Sequence, residues 1–145
     1  MATTFDWTAL TWANLLTTEL NSLGSTFSTA SIVINNTAQP RNPYLALELF
    51  CASFSPGTNP YVEIYWETSR DNTNFSDHGK PLQLNGRLMT IPLDTTASSA
   101  QRLPIQFCTI LPVYFKISAR YMAGSGTLAA SGNILQYALF TDEGY

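Results

Sequence analysis

The sequence predicts a mainly β protein: an antiparallel β-sandwich, jelly-roll-like, with an N-terminal arm and one short α-helix. Three observations carry that expectation. From residue 25 onward apolar residues recur at every second position, the period of a strand with one face buried. The runs are separated by Pro-, Gly- and Asn-rich breaks, with no helical stretch between them. The chain is 145 residues long and 45% hydrophobic, enough for one domain to bury a core without covalent staples.

The elements follow in chain order. Residues 1–10 form an arm carrying Phe5 and Trp7, two aromatics expected to dock on the sandwich or on a neighbouring subunit. Trp12, Leu15, Leu16, Leu20 and Leu23 recur at helical spacing, with Thr11 as N-cap and Gly24 as stop, which predicts a helix over 11–23. The expected organisation is therefore an arm and helix over 1–24 and a sandwich domain over 25–145. Ile32 and Ile34 alternate with Val33 and Asn35. Leu45, Leu47, Leu49 and Cys51 share one face of a long strand, opposite Tyr44, Ala46, Glu48 and Phe50. Val62, Ile64 and Trp66 alternate with Glu63, Tyr65 and Glu67, and residues 113–121 place apolar side chains at every odd position. Residues 88–93, 103–107 and 134–141 supply the remaining strands. Asn85-Gly86 between apolar runs is a two-residue hairpin signal. Alternation does not encode strand order, so jelly-roll and immunoglobulin-like topologies both remain open.

Only 12% of residues are charged, about half the ~25% of ordinary soluble domains. Polarity comes instead from Thr, Ser and Asn, and such a surface can be buried against a partner without stranding charges. Net charge is -3, and the basic residues Arg41, Arg70, Lys80, Arg87, Arg102, Lys116 and Arg120 stand singly. Phosphate backbones are bound by clustered cations, so no nucleic-acid partner is expected. No apolar run reaches the length of a membrane span and no basic start precedes a greasy stretch, so neither a membrane partner nor secretion is expected.

Few residues offer chemistry. Cys51 and Cys108 read as two buried thiols rather than a disulfide, and neither has a further ligand at metal spacing. The single histidine, His78, has no nucleophile marked by its surroundings. Asp71, Asn72, Asn74 and Asp77 lack the spacing and glycine of a calcium loop and read as turn-forming side chains. Glu63 and Glu67 share a strand face ~13 Å apart, beyond the ~5–9.5 Å of a glycosidase pair. Tyr61, Glu63, Tyr65 and Glu67 form the one ligand-facing candidate, a sugar-binding sheet face; the alternative is an outward face covered by a subunit or by the arm. Gly124-Ser125-Gly126 links two strands rather than opening a helix, so it is no phosphate loop. The expectation is a non-enzyme with no catalytic residue, cofactor or metal.

Three stretches together resemble small structural proteins of tailed bacteriophages: Phe5-Asp6-Trp7-Thr8 with Glu19-Leu20-Asn21-Ser22-Leu23-Gly24-Ser25; residues 62–77, including Ser69-Arg70-Asp71-Asn72-Thr73-Asn74-Phe75-Ser76-Asp77; and Ser131-Gly132-Asn133-Ile134-Leu135. The sequence departs from the pattern at Asn72, where a hairpin glycine is usual and φ above zero is expected. The resemblance implies a virion protein on the outer capsid surface, a decoration (cement) protein that bridges capsomers. Its partners would be the major capsid protein and other copies of itself as a trimer, and Phe5, Trp7 and Trp12 would be interface anchors. A tail or baseplate subunit, or a carbohydrate-binding sandwich used for adhesion, are the alternatives.

Overall fold

The computed structural model describes residues 11–37, 44–76, 86–95, 100–109 and 111–140. Phe5, Trp7, Asp77, His78 and Asn85 of the expected Asn85-Gly86 turn lie outside them. Among the described residues are eight strands: β1 (Ala13–Leu16), β2 (Ile34–Asn35), β3 (Tyr44–Cys51), β4 (Tyr61–Ser69), β5 (Arg87–Pro92), β6 (Gln101–Thr109), β7 (Tyr114–Met122) and β8 (Ile134–Phe140). They form two four-stranded sheets, ordered β1-β8-β3-β6 and β2-β7-β4-β5. Every pairing is antiparallel.

This order settles the topology left open by sequence. β1 pairs with β8, β2 with β7, β3 with β6 and β4 with β5, so the chain is an antiparallel ribbon folded back on itself and rolled. Pairing of β8 with β3 and of β7 with β4 closes the roll into two sheets. That is the jelly roll, the double Greek-key way of stacking eight strands.

The expected alternation is what fills the space between the sheets. Leu45, Leu47, Leu49 and Cys51 of β3 are fully buried, as are Val62 and Ile64 of β4 and Phe115, Ile117 and Ala119 of β7. Tyr121 is buried with them, its ring edge-on to Phe54 and its hydroxyl accepting the Gly57 N–H at 3.2 Å. Gly57 is required there, because a Cβ would lie 2.3 Å from the Ser125 carbonyl oxygen. Cys108 stands opposite Leu45 in register, six residues along β3 from Cys51. That is ~20 Å, far beyond the ~7 Å limit for a disulfide. Cys51 is a free buried thiol, and burial pushes its pKa up to about 12.

The helix expected over 11–23 is not formed. Residues 13–16 are the edge strand β1, and Thr18–Leu20 make a single 3-10 turn. An isolated helix this short is marginal in water, and the β-branched pair Thr17-Thr18 disfavours it further. Pairing with β8 supplies partners for the backbone instead. The register slips between Asn14 and Leu16, so a bulge sends the adjacent Leu15 and Leu16 both inward. The turn then adds Leu20 and Leu23. A bulged strand followed by a tight turn thus reproduces the leucine spacing of an amphipathic helix.

Ile32 also departs from expectation. It is 67% exposed, whereas Ile34 is buried. The segment before β2 follows the edge of β7 with extra residues, and parity with β2 is lost. Ser28 and Ser31 donate their amides to the Ala119 and Ile117 carbonyls, both at 2.7 Å. Their hydroxyls accept the Ala119 and Ile117 N–H groups at 3.0 and 2.9 Å, replacing the carbonyls a regular strand would offer.

Candidate functional site

The odd-numbered residues of β4 lie on the outward face of the second sheet, as their alternation predicted. The structure brings Glu63 and Tyr65 together there, buried to 4% and 6% exposure, while Tyr61 and Glu67 are half-buried. What buries the pair is a set of residues that sequence alone did not associate with them. Arg120 stands directly across from Glu63 on β7 and donates its Nε to Oε2. The Tyr65 hydroxyl donates to the same oxygen at 2.9 Å, and Arg120 Nη2 donates to the Tyr65 hydroxyl at 3.2 Å. Arg87 of β5 donates Nη1 to Oε1 at 3.2 Å. Phe27 caps the cluster, its ring edge-on to Tyr65 at 4.9 Å and facing the Arg120 guanidinium at 5.0 Å.

A bulge delivers Arg87. Ile64 pairs with Met89, but Tyr65 pairs with Arg87, so β5 carries one extra residue. Without it Leu88 would stand opposite Tyr65; with it Leu88 and Met89 both pack on the core and the arginine reaches the carboxylate. Burial would push the Glu63 carboxyl up, but hydrogen bonds from Arg120, Tyr65 and Arg87 outweigh it and hold the carboxyl below its ordinary range. The Tyr65 phenol is pushed up by burial and by its bond to the carboxylate. Glu63 therefore stays an anion with each oxygen engaged. Its chemistry is that of an internal tie, and the sugar-facing role expected of Tyr61, Glu63, Tyr65 and Glu67 would have to displace these bonds.

The Asp71 turn uses its charge in the same way. Oδ1 accepts the Thr73 and Asn74 amides, both at 2.9 Å, and the Ser69 hydroxyl at 2.9 Å; Oδ2 accepts Asn74 Nδ2 at 2.7 Å. The two backbone amides, then the side-chain donors, hold this carboxyl far below its ordinary range. Asn72 has φ 60, the left-handed value anticipated for the position where glycine is usual. Ser76 closes the turn, donating its amide to the Thr68 carbonyl at 3.0 Å and accepting the Thr68 amide on its hydroxyl at 2.9 Å. Lys116 sits over the Phe75 ring at 4.2 Å.

The other two resemblance segments meet one another. Asn133, 1% exposed, accepts the Ala52 amide at 3.2 Å on Oδ1. Its Nδ2 lies within hydrogen-bond distance of the Ala129 carbonyl (2.8 Å), Asn21 Oδ1 (3.2 Å) and the Leu20 carbonyl (3.4 Å). The side chain ties the 3-10 turn to the start of β8 and the end of β3. Gly132 before it has φ +81, and a Cβ there would meet the Ala52 Cβ at 3.2 Å.

Trp12 is half-buried on the outward face of the first sheet. It packs with Tyr44 against Ala46, Ala138 and Phe140 of its own sandwich. Tyr44 and Phe140 stack at 5.2 Å, and nearby Glu48 pairs with Arg102 at 3.2 Å. Among the described residues no group of three or more His, Cys, Asp or Glu could hold a metal ion, and no helix is long and apolar enough to cross a membrane. No protein-family model matches the chain, and neither a curated protein nor a solved structure does.

Proposed function

We propose that the protein is a non-enzymatic structural component of a phage particle, placed on the outer capsid surface, where it stabilises the shell by bridging capsomers. Its partners are then the major capsid protein and further copies of itself, as trimers. The observation that supports this reading best is the use made of the polar groups with chemical potential. Glu63, Asp71 and Asn133 are each bound on several sides by groups of the same chain: Glu63 and Asn133 fasten one strand or turn to another, and Asp71 closes its own turn. Catalysis needs a group poised near neutrality and aimed at a substrate, whereas these carboxylates are held ionised within the scaffold. A low-charge surface over such a scaffold suits permanent contact with neighbours.

Phe5, Trp7 and Trp12 are the proposed anchors, since buried aromatics dominate interface energies. Trp12 reaches the outward face of the first sheet, where it packs against Ala46, Ala138 and Phe140. The test is addition of the purified protein to particles made without its gene. Saturable uptake that raises the temperature at which the shells release DNA supports the reading, and uptake lost on removal of residues 1–10 from a protein that still folds supports the anchors. Protein that stays in the supernatant at every ratio contradicts it. Genes for a capsid protein and a maturation protease beside this one favour the capsid position; tape-measure and baseplate genes favour the tail.

A further inference from the structure

We propose that the open cleft between the Asp71 turn and the β6–β7 connection binds a short, uncharged saccharide. The cleft encloses about 550 Å³ and is lined by Thr68, Ser69, Arg70, Asp71 and Asn74 on one side and by Leu111, Pro112 and Val113 on the other. Its size falls in the ~300–1,000 Å³ range of small-ligand sites. The inference concerns a different part of the molecule from the Glu63 face and stands apart from the capsid reading.

The two walls differ as the two aspects of a sugar ring do. A pyranose has an apolar face of C–H groups and an edge of hydroxyls, each both donor and acceptor. Leu111, Pro112 and Val113 offer a surface for the first. For the second, Arg70 is exposed and has no ion-pair or hydrogen-bond partner among the described residues, so its N–H groups are available. Among the described residues Asp71 Oδ2 accepts one bond, from Asn74 Nδ2, leaving room for a hydroxyl, while Oδ1 is filled by three donors. Adjacent opposite charges make the polar wall nearly neutral, which favours a polyhydroxylated ligand over an anion or a cation. Each wall is tied to a neighbouring segment by hydrogen bonds of the backbone, which lowers the ordering cost of binding. Ser76 and Thr68 bridge the turn twice, and the Asn36 amide donates to the Val113 carbonyl at 2.8 Å.

The test is amide chemical-shift mapping of the ¹⁵N-labelled full chain against methyl glycosides of glucose, galactose, mannose and N-acetylglucosamine at tens of millimolar. A parallel arm uses lipopolysaccharide micelles to distinguish recognition of a sugar ring from attraction to an anionic, acylated surface. The expected result is shifts confined to residues 68–74 and 111–113 with at least one glycoside. Arg70→Ala and Pro112→Asp should each weaken that binding about tenfold while leaving the remaining amides in place. A response to a glycoside supports the proposal, and a response to the micelles alone, which carry phosphates and acyl chains as well as sugars, would overturn the assignment of an uncharged saccharide. Absence of shifts with every probe, shifts centred on Tyr61 and Tyr65, or binding indifferent to both substitutions would overturn the proposal.

Discussion

At the scale of single residues, the molecule is held by side chains that replace backbone partners or gather several donors at one atom. Asn133 is the clearest case. Its replacement by Ala leaves the Ala52 amide and the Leu20 and Ala129 carbonyls to find other partners in a buried place. Removing one side of such a network costs ~1–3 kcal/mol, and urea unfolding of Asn133→Ala should show a loss of about that size. Glu63 and Asp71 make stability depend on acid. Both carboxyls lie lower in the folded chain than in the unfolded one. Their contribution is thus complete above the ordinary carboxylate range near ~4 and disappears as pH falls through the depressed folded values. Melting temperature followed downward from neutral pH should decline steeply below that range, and Glu63→Gln should be less stable at neutral pH by about 2 kcal/mol with a shallower acid decline. A parallel decline in both proteins would show that Glu63 has no part in it. Sequence parity placed Glu63 on the correct face, but its arginine partners come from strands 24 and 57 positions away, and no local pattern encodes which strands will pair.

At the scale of elements, irregularity does much of the positioning. The alternation of β3, β4 and β7 was legible because a residue in a regular strand takes the face its parity dictates. Bulges break that rule, and each break marks where the reading failed or missed something. In β1 a bulge disguised a strand as a helix; in β5 one hid the role of Arg87. The slip between Leu47 and Leu49 puts an extra residue in β6 beside Pro104, where a missing N–H is tolerated on an edge strand. Before β2, Ser28 and Ser31 maintain the edge of the second sheet with hydroxyls. Ser31→Ala should strand the buried Ile117 amide and cost ~1–3 kcal/mol, measurable by urea unfolding together with faster hydrogen exchange at that amide. Gly132→Ala combines a left-handed φ with a crowded Cβ, and a loss of ~1–2 kcal/mol is expected from the backbone conformation alone.

At the scale of the whole molecule, period-two alternation and turn chemistry were enough for a β-sandwich, and the rolled pairing of eight strands makes it a jelly roll. That fold carries viral shell proteins and lectins alike, so architecture alone chooses between neither. The choice rests on side chains. The Glu63 face, which sequence offered as a sugar platform, is tied into its own scaffold. The more available polar groups lie at the end of the sandwich around Arg70, a cleft whose two walls come from segments about 40 positions apart. The composition that first suggested a surface built to be covered is consistent with charges that pair across strands, Glu63 with Arg120 and Glu48 with Arg102. The central proposal, that the protein is a structural part of a phage particle, is tested most directly by quantitative mass spectrometry of particles purified after infection or induction of a host in which the gene is expressed. The account predicts the chain at tens to hundreds of copies per particle, in fixed ratio to the major capsid protein. Its presence in the infected-cell lysate but absence from purified particles would contradict the account.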